Sequence, residues 1–397
     1  MFLSKERSVS GSVMPSYGRT DVSFVKGDGV YLYTQDDKRY LDFGAGIAVT
    51  ALGHSHPKLV TALREQTGRL WHTSNLYHIP QQQRLADRLV ATSFADTVFF
   101  CNSGAEAVEA SIKLIRKYHS TKGQPERYRL ISFEGSFHGR TLATIAAGAN
   151  EAHRAGFGPK IDGFDSVGFG DIKATLAAVT DETAGIMVEP VQGEGGVRVA
   201  DPAFLGELRA LADENNLLLM FDEVQTGVGR TGRLWAHEWP NVVPDVMSSA
   251  KALGGGFPIG ACLATNEAAV GIVPGTHGST FGGNPLAAAC ANAVLDVVLE
   301  EGFLKRVVET GKLIEREITK IAADYPSVIE EIRGIGMMWG IRCVIPNMDL
   351  VKKTFEKNLL TVPAGENVVR FLPPLITREE HVHEAVEILG SCCKELV

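Results

Sequence analysis

The sequence predicts an α/β protein with a mostly parallel sheet between helices, followed by a smaller α+β domain. Short apolar runs of strand length alternate with helical stretches through the middle of the chain, and such alternation favours a parallel sheet covered on both faces. After about residue 285, long helices and then strand-like segments replace the alternation. We therefore expect a large domain at 55–285, a small domain at 286–397, and an N-terminal segment, 1–54, that joins the small domain.

The individual elements follow from local patterns. Segments 30–33 and 39–43 flank a polar turn and predict a β-hairpin. Helices are predicted at 105–119, where Val108, Ile112 and Ile115 share one face, and at 202–215. Apolar runs predict strands at 98–101, 130–133, 185–188, 217–221 and 245–248. Beyond residue 285 we expect helices at 285–301, 304–325 and from Arg378, and strand-like segments at 328–344 and 368–372.

Composition and charge narrow the functional classes. The 397 residues include 39 basic and 47 acidic side chains, a net charge of −8, whereas nucleic-acid binders usually carry a basic patch. No apolar run reaches the length of a membrane span, and the first residues lack the apolar stretch of a signal peptide. Six cysteines without CxxC spacing predict reduced thiols. We expect a cytoplasmic protein without membrane or nucleic-acid partners.

Two polar segments follow predicted strands. Residues 101–106 contain a Ser-Gly turn before a helix, where free backbone N–H groups and the Ser103 hydroxyl suit an anion. Taken alone, Ser103 or Asn102 could equally be an ordinary helix N-cap. Asp222 and Glu223 end an apolar strand, which is where open α/β sheets bind ligands. An isolated acid at that place more often caps the strand or pairs with an arginine.

Two further segments carry reactive side chains. Lys251 lies between a short strand and three glycines that allow a bulky group to approach the backbone. A lysine held there could bond covalently to a carbonyl group, although most lysines are surface charges. The segment 137–141 offers an aromatic ring, an imidazole and Arg140, which could bind a carboxylate; a core phenylalanine and a structural ion pair are the alternatives.

Two other patterns do not predict a binding site. Residues 227–232 match GxGxxG, but no helical pattern follows, so the dinucleotide fingerprint is rejected. His54 and His56 have no evident third ligand, and no metal site is predicted.

Taken in order, six segments resemble the class III, or ω-amino, aminotransferases, which are pyridoxal-phosphate-dependent transferases of fold type I. The likeness covers nearly the whole chain, and six motifs in one order are specific where any one alone is weak. It implies pyridoxal 5′-phosphate as cofactor and a homodimer with shared active sites. The segments are SGAE at 103–106, FHGRT at 137–141, EPVQGEGG at 189–196, DEVQTG at 222–227, SAKALGGG at 249–256 and TFGGNP at 280–285.

The resemblance assigns roles to the cofactor-binding residues. Lys251 would attach the cofactor and then move a proton, and Asp222 would pair with the pyridine nitrogen so that the ring draws in electrons. Gln225 would approach the phenolic oxygen. The other implied cofactor contacts are Phe137 and Val224 on the two ring faces, Glu223, the phosphate ligands Ser103, Gly104 and Ala105, and Thr280 from the neighbouring subunit.

The resemblance also assigns the substrate contacts. Both substrates have a carboxylate far from the reacting carbon, which Arg140 would bind with help from Ser279. Only glutamate has a carboxylate next to that carbon, which Arg370 would bind. Glu194 would pair with Arg370 when the near carboxylate is missing, because an unpaired buried charge is costly. A constant structural ion pair is the alternative.

Segments 14–19 and 73–77 favour the branch of the family that acts on acetylornithine, a step of arginine synthesis. Its members transfer the terminal amino group to 2-oxoglutarate, which gives N-acetylglutamate semialdehyde and glutamate. Ornithine, succinylornithine, succinyl-diaminopimelate and 4-aminobutyrate remain alternative amine donors. Arg370 and Glu194 argue against an aminomutase, and Lys251 argues against a cofactor-binding protein without catalysis.

Overall fold

A computed structural model describes residues 12–148 and 150–397, so the expectation about the first residues lies outside the described part. The strands are β1 (Phe24–Asp28), β2 (Tyr31–Thr34), β3 (Arg39–Asp42), β4 (Thr97–Cys101), β5 (Arg129–Phe133), β6 (Phe164–Val167), β7 (Thr183–Val188), β8 (Val191–Gln192), β9 (Arg198–Val199), β10 (Leu218–Asp222), β11 (Val246–Ser249), β12 (Gly260–Ala264), β13 (Ile329–Ile335), β14 (Met338–Cys343), β15 (Leu359–Leu360), β16 (Val362–Ala364) and β17 (Val368–Phe371). The helices are α1 (Ala45–Ala48), α2 (Pro57–Thr67), α3 (Pro80–Ala91), α4 (Gly104–Thr121), α5 (Leu142–Ala147), α6 (Glu151–Arg154), α7 (Ile172–Ala177), α8 (Pro202–Glu214), α9 (Pro285–Val298), α10 (Phe303–Asp324), α11 (Asn347–Glu356) and α12 (Glu379–Glu395). Within the described ranges, the structure has no helix long and apolar enough to cross a bilayer.

The central sheet has seven strands in the order β4-β12-β11-β10-β7-β5-β6. All of them run parallel except β12, which pairs antiparallel with both of its neighbours. The five strands predicted from apolar runs are confirmed, whereas β6 and β12 were not predicted. The carboxyl ends of the parallel strands share one edge, so the segments that follow β4, β5, β7, β10 and β11 meet there.

Helices cover the central sheet on both faces. The predicted stripe Val108, Ile112 and Ile115 of α4 is buried against one face, and Phe204 and Leu208 of α8 are buried against the other. Burial on both faces explains why β7, β10, β11 and β12 are buried along their whole length. This apolar packing fixes the strand ends that carry the site.

The two ends of the chain meet outside the central sheet. The predicted hairpin is confirmed as β2 and β3, and β3 pairs with β15 from the C-terminal part. A second sheet has the order β13-β14-β17-β16 and is packed against α10 and α11. This pairing supports an association of the N-terminal segment with the C-terminal part, while the boundaries at 54 and 285 stay predictions.

The GxGxxG segment has a structural task. No α-helix follows it, as predicted; a single 3-10 turn, Ala236–Glu238, comes next. Arg230 from this segment is fully buried, and its guanidinium donates to the carbonyl oxygens of Met337 and Pro373 at 2.9 and 2.5 Å. The arginine therefore ties the loop between β10 and β11 to the residue that precedes β14 and to the segment that follows β17.

The cysteine prediction concerns the thiols. All six are buried and unpaired by disulfides, and Cys392 and Cys393 lie on α12 as predicted. Burial raises the pKa of both thiols, to about 11 and about 12, so they are unreactive packing residues.

Candidate active site

The expected side chains surround a cavity of about 430 Å³ at the carboxyl edge of the central sheet. A wider cleft of about 1060 Å³ adjoins it and shares Phe137 and Glu194 with it. The sequence-predicted residues that line the smaller cavity are Ser103, Gly104, Ala105, Phe137, Arg140, Glu194, Asp222, Val224, Gln225 and Lys251.

The turn after β4 forms the start of α4. Ser103 is the N-cap of this helix, and its Oγ accepts the N–H of Glu106 at 3.2 Å. No described residue accepts the N–H groups of Gly104 and Ala105, as expected for a first helical turn. A Cβ on Gly104 would lie 2.6 Å from Val224. The open N–H groups and the lack of room for a larger residue suit a bound phosphate.

Asp222 is held by two donors at the end of β10. It is 4% exposed, its Oδ2 lies 2.7 Å from His138 Nδ1, and its Oδ1 accepts the N–H of Val224 at 3.0 Å. No described residue bonds to His138 Nε2. This arrangement favours a carboxylate that faces the cavity in a fixed orientation, ready to pair with a cationic ring nitrogen.

The side chain of Glu223 does not line the cavity, so the structure places it apart from the other predicted cofactor contacts. Successive strand residues point in opposite directions, so Glu223 faces away from the cavity and is fully buried. Its carboxylate accepts the N–H groups of Ala236 and His237 at 2.6 and 2.9 Å. Burial raises the pKa of Glu223 to about 7. The residue caps the 3-10 turn instead.

Lys251 follows β11 in a strained backbone conformation. Its φ is +44°, which is uncommon for a residue with a side chain. The side chain lines the cavity, and no described residue bonds to its amine. Burial lowers the pKa of Lys251, with a further contribution from Arg370, while Glu194, Asp222 and Glu189 oppose the shift. A lowered pKa favours the neutral amine, which is the nucleophilic form.

Arg370 and Glu194 form an ion pair beside the cavity. Arg370 Nη1 donates to Glu194 Oε1 at 2.9 Å, and its Nη2 donates to the carbonyl oxygen of Pro363 at 3.0 Å. The guanidinium is 1% exposed, while the Glu194 side chain is 31% exposed. The pair therefore joins a fixed cation on β17 to an acid that has room to move.

Arg140 is placed differently from Arg370. It is exposed at the mouth of the cavity, and its guanidinium lies 5.4 Å from the ring centre of Phe137. None of the described acids lies within ion-pair distance of it. A cation–π contact with no carboxylate leaves Arg140 able to bind an incoming carboxylate.

Ser279 and Thr280 do not line the cavity of their own chain. Ser279 Oγ accepts from Asn102 Nδ2 at 3.2 Å and from the N–H of Gly282 at 3.0 Å, and Thr280 is exposed. Within one chain, Ser279 is therefore not brought to Arg140. Thr280 lies on the surface, outside the cavity of its own chain.

Sequence reasoning missed two site residues, although both lie inside motifs it used. His138 was quoted without a role, and Glu189 was not assigned one. Each contacts a residue from a segment at the end of a different strand. His138 contacts Asp222, and Glu189 accepts the N–H of Phe137 at 3.0 Å. Both residues lie inside motifs that the sequence analysis used. Their partners come from other parts of the chain, and only the fold brings them together.

Comparison with known proteins shows the family of the chain. The family model described as Aminotransferase class-III matches residues 13–393. The acetylornithine aminotransferases of Mesorhizobium japonicum and Brucella melitensis are 56% and 54% identical to the chain. These matches span 98% and 96% of the chain and 98% and 94% of the relatives, respectively.

Solved structures share the fold. N-acetylornithine aminotransferase from Stenotrophomonas maltophilia matches with a TM-score of 0.84 and 37% identity, covering 96% of this chain and 97% of that one. Ornithine aminotransferase from Toxoplasma gondii matches with a TM-score of 0.93 and 32% identity, covering 97% and 93%. With a family match over nearly its whole length, the chain belongs to the class III aminotransferases and is a transaminase of fold type I.

Proposed function

We propose that the enzyme transfers the terminal amino group of N2-acetylornithine to 2-oxoglutarate, with pyridoxal 5′-phosphate as cofactor. The ion pair between Arg370 and Glu194 carries this proposal, because it equips one site for substrates with and without a carboxylate near the reacting carbon. The names and high identity of the relatives support acetylornithine as the donor.

The residues present fit the cofactor. The open N–H groups of Gly104 and Ala105 suit its phosphate, and Asp222 suits its pyridine nitrogen. Phe137 and Val224 line the same cavity and can enclose a flat ring. When bound, pyridoxal phosphate supplies a carbonyl group and an electron-withdrawing ring.

Lys251 supplies the base. Its amine, favoured in the neutral form by burial, can take a proton from the reacting carbon of the substrate at Nζ and return it. Asp222, held by His138, stays oriented while this proton moves. Base and anchor thus lie at the ends of neighbouring strands, β11 and β10.

Arg140 and Arg370 bind different carboxylates of the substrates. Arg140, without an acidic partner, binds the distant carboxylate of either substrate. Arg370 binds the near carboxylate of glutamate or 2-oxoglutarate after Glu194 has moved aside. With acetylornithine, Glu194 remains on Arg370 and prevents an unpaired buried charge.

We further propose that the active form is a homodimer in which Thr280 reaches the partner's phosphate site. Thr280 is exposed beside an exposed ring, Phe281, which packs against His72 with ring centres 5.1 Å apart. The segment around His72 also carries exposed Trp71 and Tyr77. Large apolar side chains exposed together favour an interface.

A Lys251→Ala subunit mixed with a Thr280→Ala subunit should then recover activity, since one site of each heterodimer lacks both changes. Proven heterodimers without activity would contradict the shared site.

A panel of amine donors tests the substrate. Acetylornithine should give the highest kcat/KM with 2-oxoglutarate, followed by succinylornithine, ornithine, 4-aminobutyrate and succinyl-diaminopimelate. Spectra of the half-reaction with each donor separate binding from turnover. A higher kcat/KM with ornithine or 4-aminobutyrate would overturn the assignment.

A further inference from the structure

Glu189 is a buried carboxyl at the cavity that the roles above do not use. It follows β7, is 6% exposed, and lines the cavity with Asp222 and Lys251. Its Oε2 accepts the N–H of Phe137 at 3.0 Å. No described residue donates to its other oxygen, Oε1. One half of this carboxyl is thus fixed by the backbone, and the other half is available to the cavity.

Glu189 and Asp222 form a pair of unequal carboxyls. Val188 and Phe221, which precede them, are register partners in β7 and β10, so the two acids leave neighbouring strands at the same level. Two buried carboxyls at the ends of adjacent strands do not both ionise readily. Asp222 has an imidazole and a backbone N–H as donors, whereas Glu189 has one backbone N–H.

Burial and the neighbouring charges determine the protonation of the Glu189 carboxyl. Burial raises the pKa of Glu189 well above its usual value, and the charge of Asp222 adds to this. The N–H of Phe137 and the amine of Lys251 oppose the shift, and Glu194 adds to it. Burial and the nearby acids therefore favour the neutral form of Glu189, which has an O–H to donate.

The strand order shows which edge of the ring Glu189 meets, on the basis of the proposed cofactor. The phosphate donors follow β4, Asp222 follows β10, and Glu189 follows β7, in the order β4-β12-β11-β10-β7. In pyridoxal phosphate, the ring nitrogen separates the edge that bears the phosphate arm from the edge with the methyl group and the phenolic oxygen. A ring anchored at β4 and at Asp222 therefore presents its phenolic edge towards β7.

We propose that Glu189 stays protonated and donates a hydrogen bond to the phenolic oxygen of the bound cofactor. This contact is additional to that of Gln225, which the resemblance places at the same oxygen. A neutral donor stabilises a phenolate without adding a second negative charge beside Asp222. It also explains why a carboxyl is buried here with one oxygen left unpaired by protein.

Three variants of the full-length enzyme test the donor. Glu189→Met removes the O–H, so affinity of the apoenzyme for pyridoxal phosphate should fall roughly ten- to a hundredfold, the value of one hydrogen bond to a charged group. The pH at which the bound cofactor changes its absorption should rise, because the phenolate has lost a donor. Glu189→Gln, whose amide can both donate and accept, should restore most of the affinity and the spectrum. Glu182→Gln, an exposed acid before the same strand, is the matched control.

Infrared spectra of the apoenzyme provide a readout that needs neither cofactor nor substrate. At neutral pH the protonated-carboxyl band should be stronger in the wild type and in Glu182→Gln than in Glu189→Gln. The part of the band that remains in Glu189→Gln belongs to Glu223, whose pKa burial raises to about 7. If the wild type has no such band, the proposal is wrong even should the variants not fold. Equal losses of cofactor affinity in Glu189→Gln and Glu189→Met would also overturn it. A wrong amine donor leaves all these results standing, whereas an enzyme that binds no pyridoxal phosphate contradicts the proposed function itself.

Discussion

The cavity has two walls that are built in different ways. The cofactor wall comprises Gly104, Asp222 and Lys251, which lie at or just beyond the ends of strands of the central sheet, and the Asp222 carboxylate is held by short contacts within one chain. The substrate wall comprises Arg140 and Glu194, which lie on two loops and line the cavity, together with Arg370 of β17, which pairs with Glu194 beside it. The first wall is rigid because buried strands fix it, and the second includes an exposed arginine and a partly exposed acid.

This difference separates what the fold fixes from what substrates can change. Polar groups at strand ends hold one ligand in one orientation, which suits a cofactor that stays bound. Charged groups on loops can pair with each other or with a ligand, which suits two substrates that alternate. Changes in the cofactor wall should therefore harm both half-reactions. In the substrate wall, changes at Arg370 and Glu194 should distinguish the donors, whereas a change at Arg140, which binds the distant carboxylate of either substrate, should not.

The largest effect is expected at Lys251, in the cofactor wall. Lys251→Ala should keep the cofactor through the phosphate and ring contacts but lose turnover by several orders of magnitude, because proton transfer alone contributes about 10²–10⁴-fold. Single-turnover spectra with acetylornithine and with glutamate should be equally slow. Lys305→Ala, a change at an exposed surface lysine, is the control.

Borohydride reduction locates the same residue chemically. The yellow wild-type protein should lose its colour and carry the reduced cofactor on Lys251 after digestion and mass analysis. An adduct on another lysine would contradict the assignment, and so would a difference between the two donors in Lys251→Ala.

The sequence predicted some residues of these walls and missed others, depending on whether the signal is local in the chain. Lys251, Asp222 and the Ser103 turn were identified because each lies next to a strand or helix signal that is local in the chain. The side chain of Glu223 lies apart from the cavity, and the sequence alone does not tell which of two adjacent acids faces it. Glu189 and His138 were overlooked since their partners come from other strands, and β12 was missed because its small residues, GACLA, make a weak strand signal.

A smaller, donor-dependent effect is expected at Arg370. Arg370→Ala should weaken binding of glutamate and 2-oxoglutarate roughly ten- to a hundredfold, the value of a charge-assisted hydrogen-bonded contact, and spare acetylornithine. Arg140→Ala is the matched comparison, because it should impair both half-reactions by removing the partner of the distant carboxylate. Half-reaction rates against the concentration of each donor measure both. Equal losses on both donors for Arg370→Ala would make Arg370 a structural cation.

The smallest effect is expected at Glu194, and it is the most direct test of the difference between the two walls. Glu194→Ala leaves the Arg370 guanidinium without an acid when acetylornithine is bound, so this half-reaction should weaken by about tenfold. Glutamate supplies its own carboxylate and no longer competes with Glu194, so it should bind as well as before or better. Glu194→Gln removes the charge but keeps the shape and should show the same direction. Since Glu194 is partly exposed, water can screen the uncovered cation and hold the loss to this modest size. Equal losses on the two donors would mean that Glu194 and Arg370 form a static pair, and the substrate wall would then be as rigid as the cofactor wall.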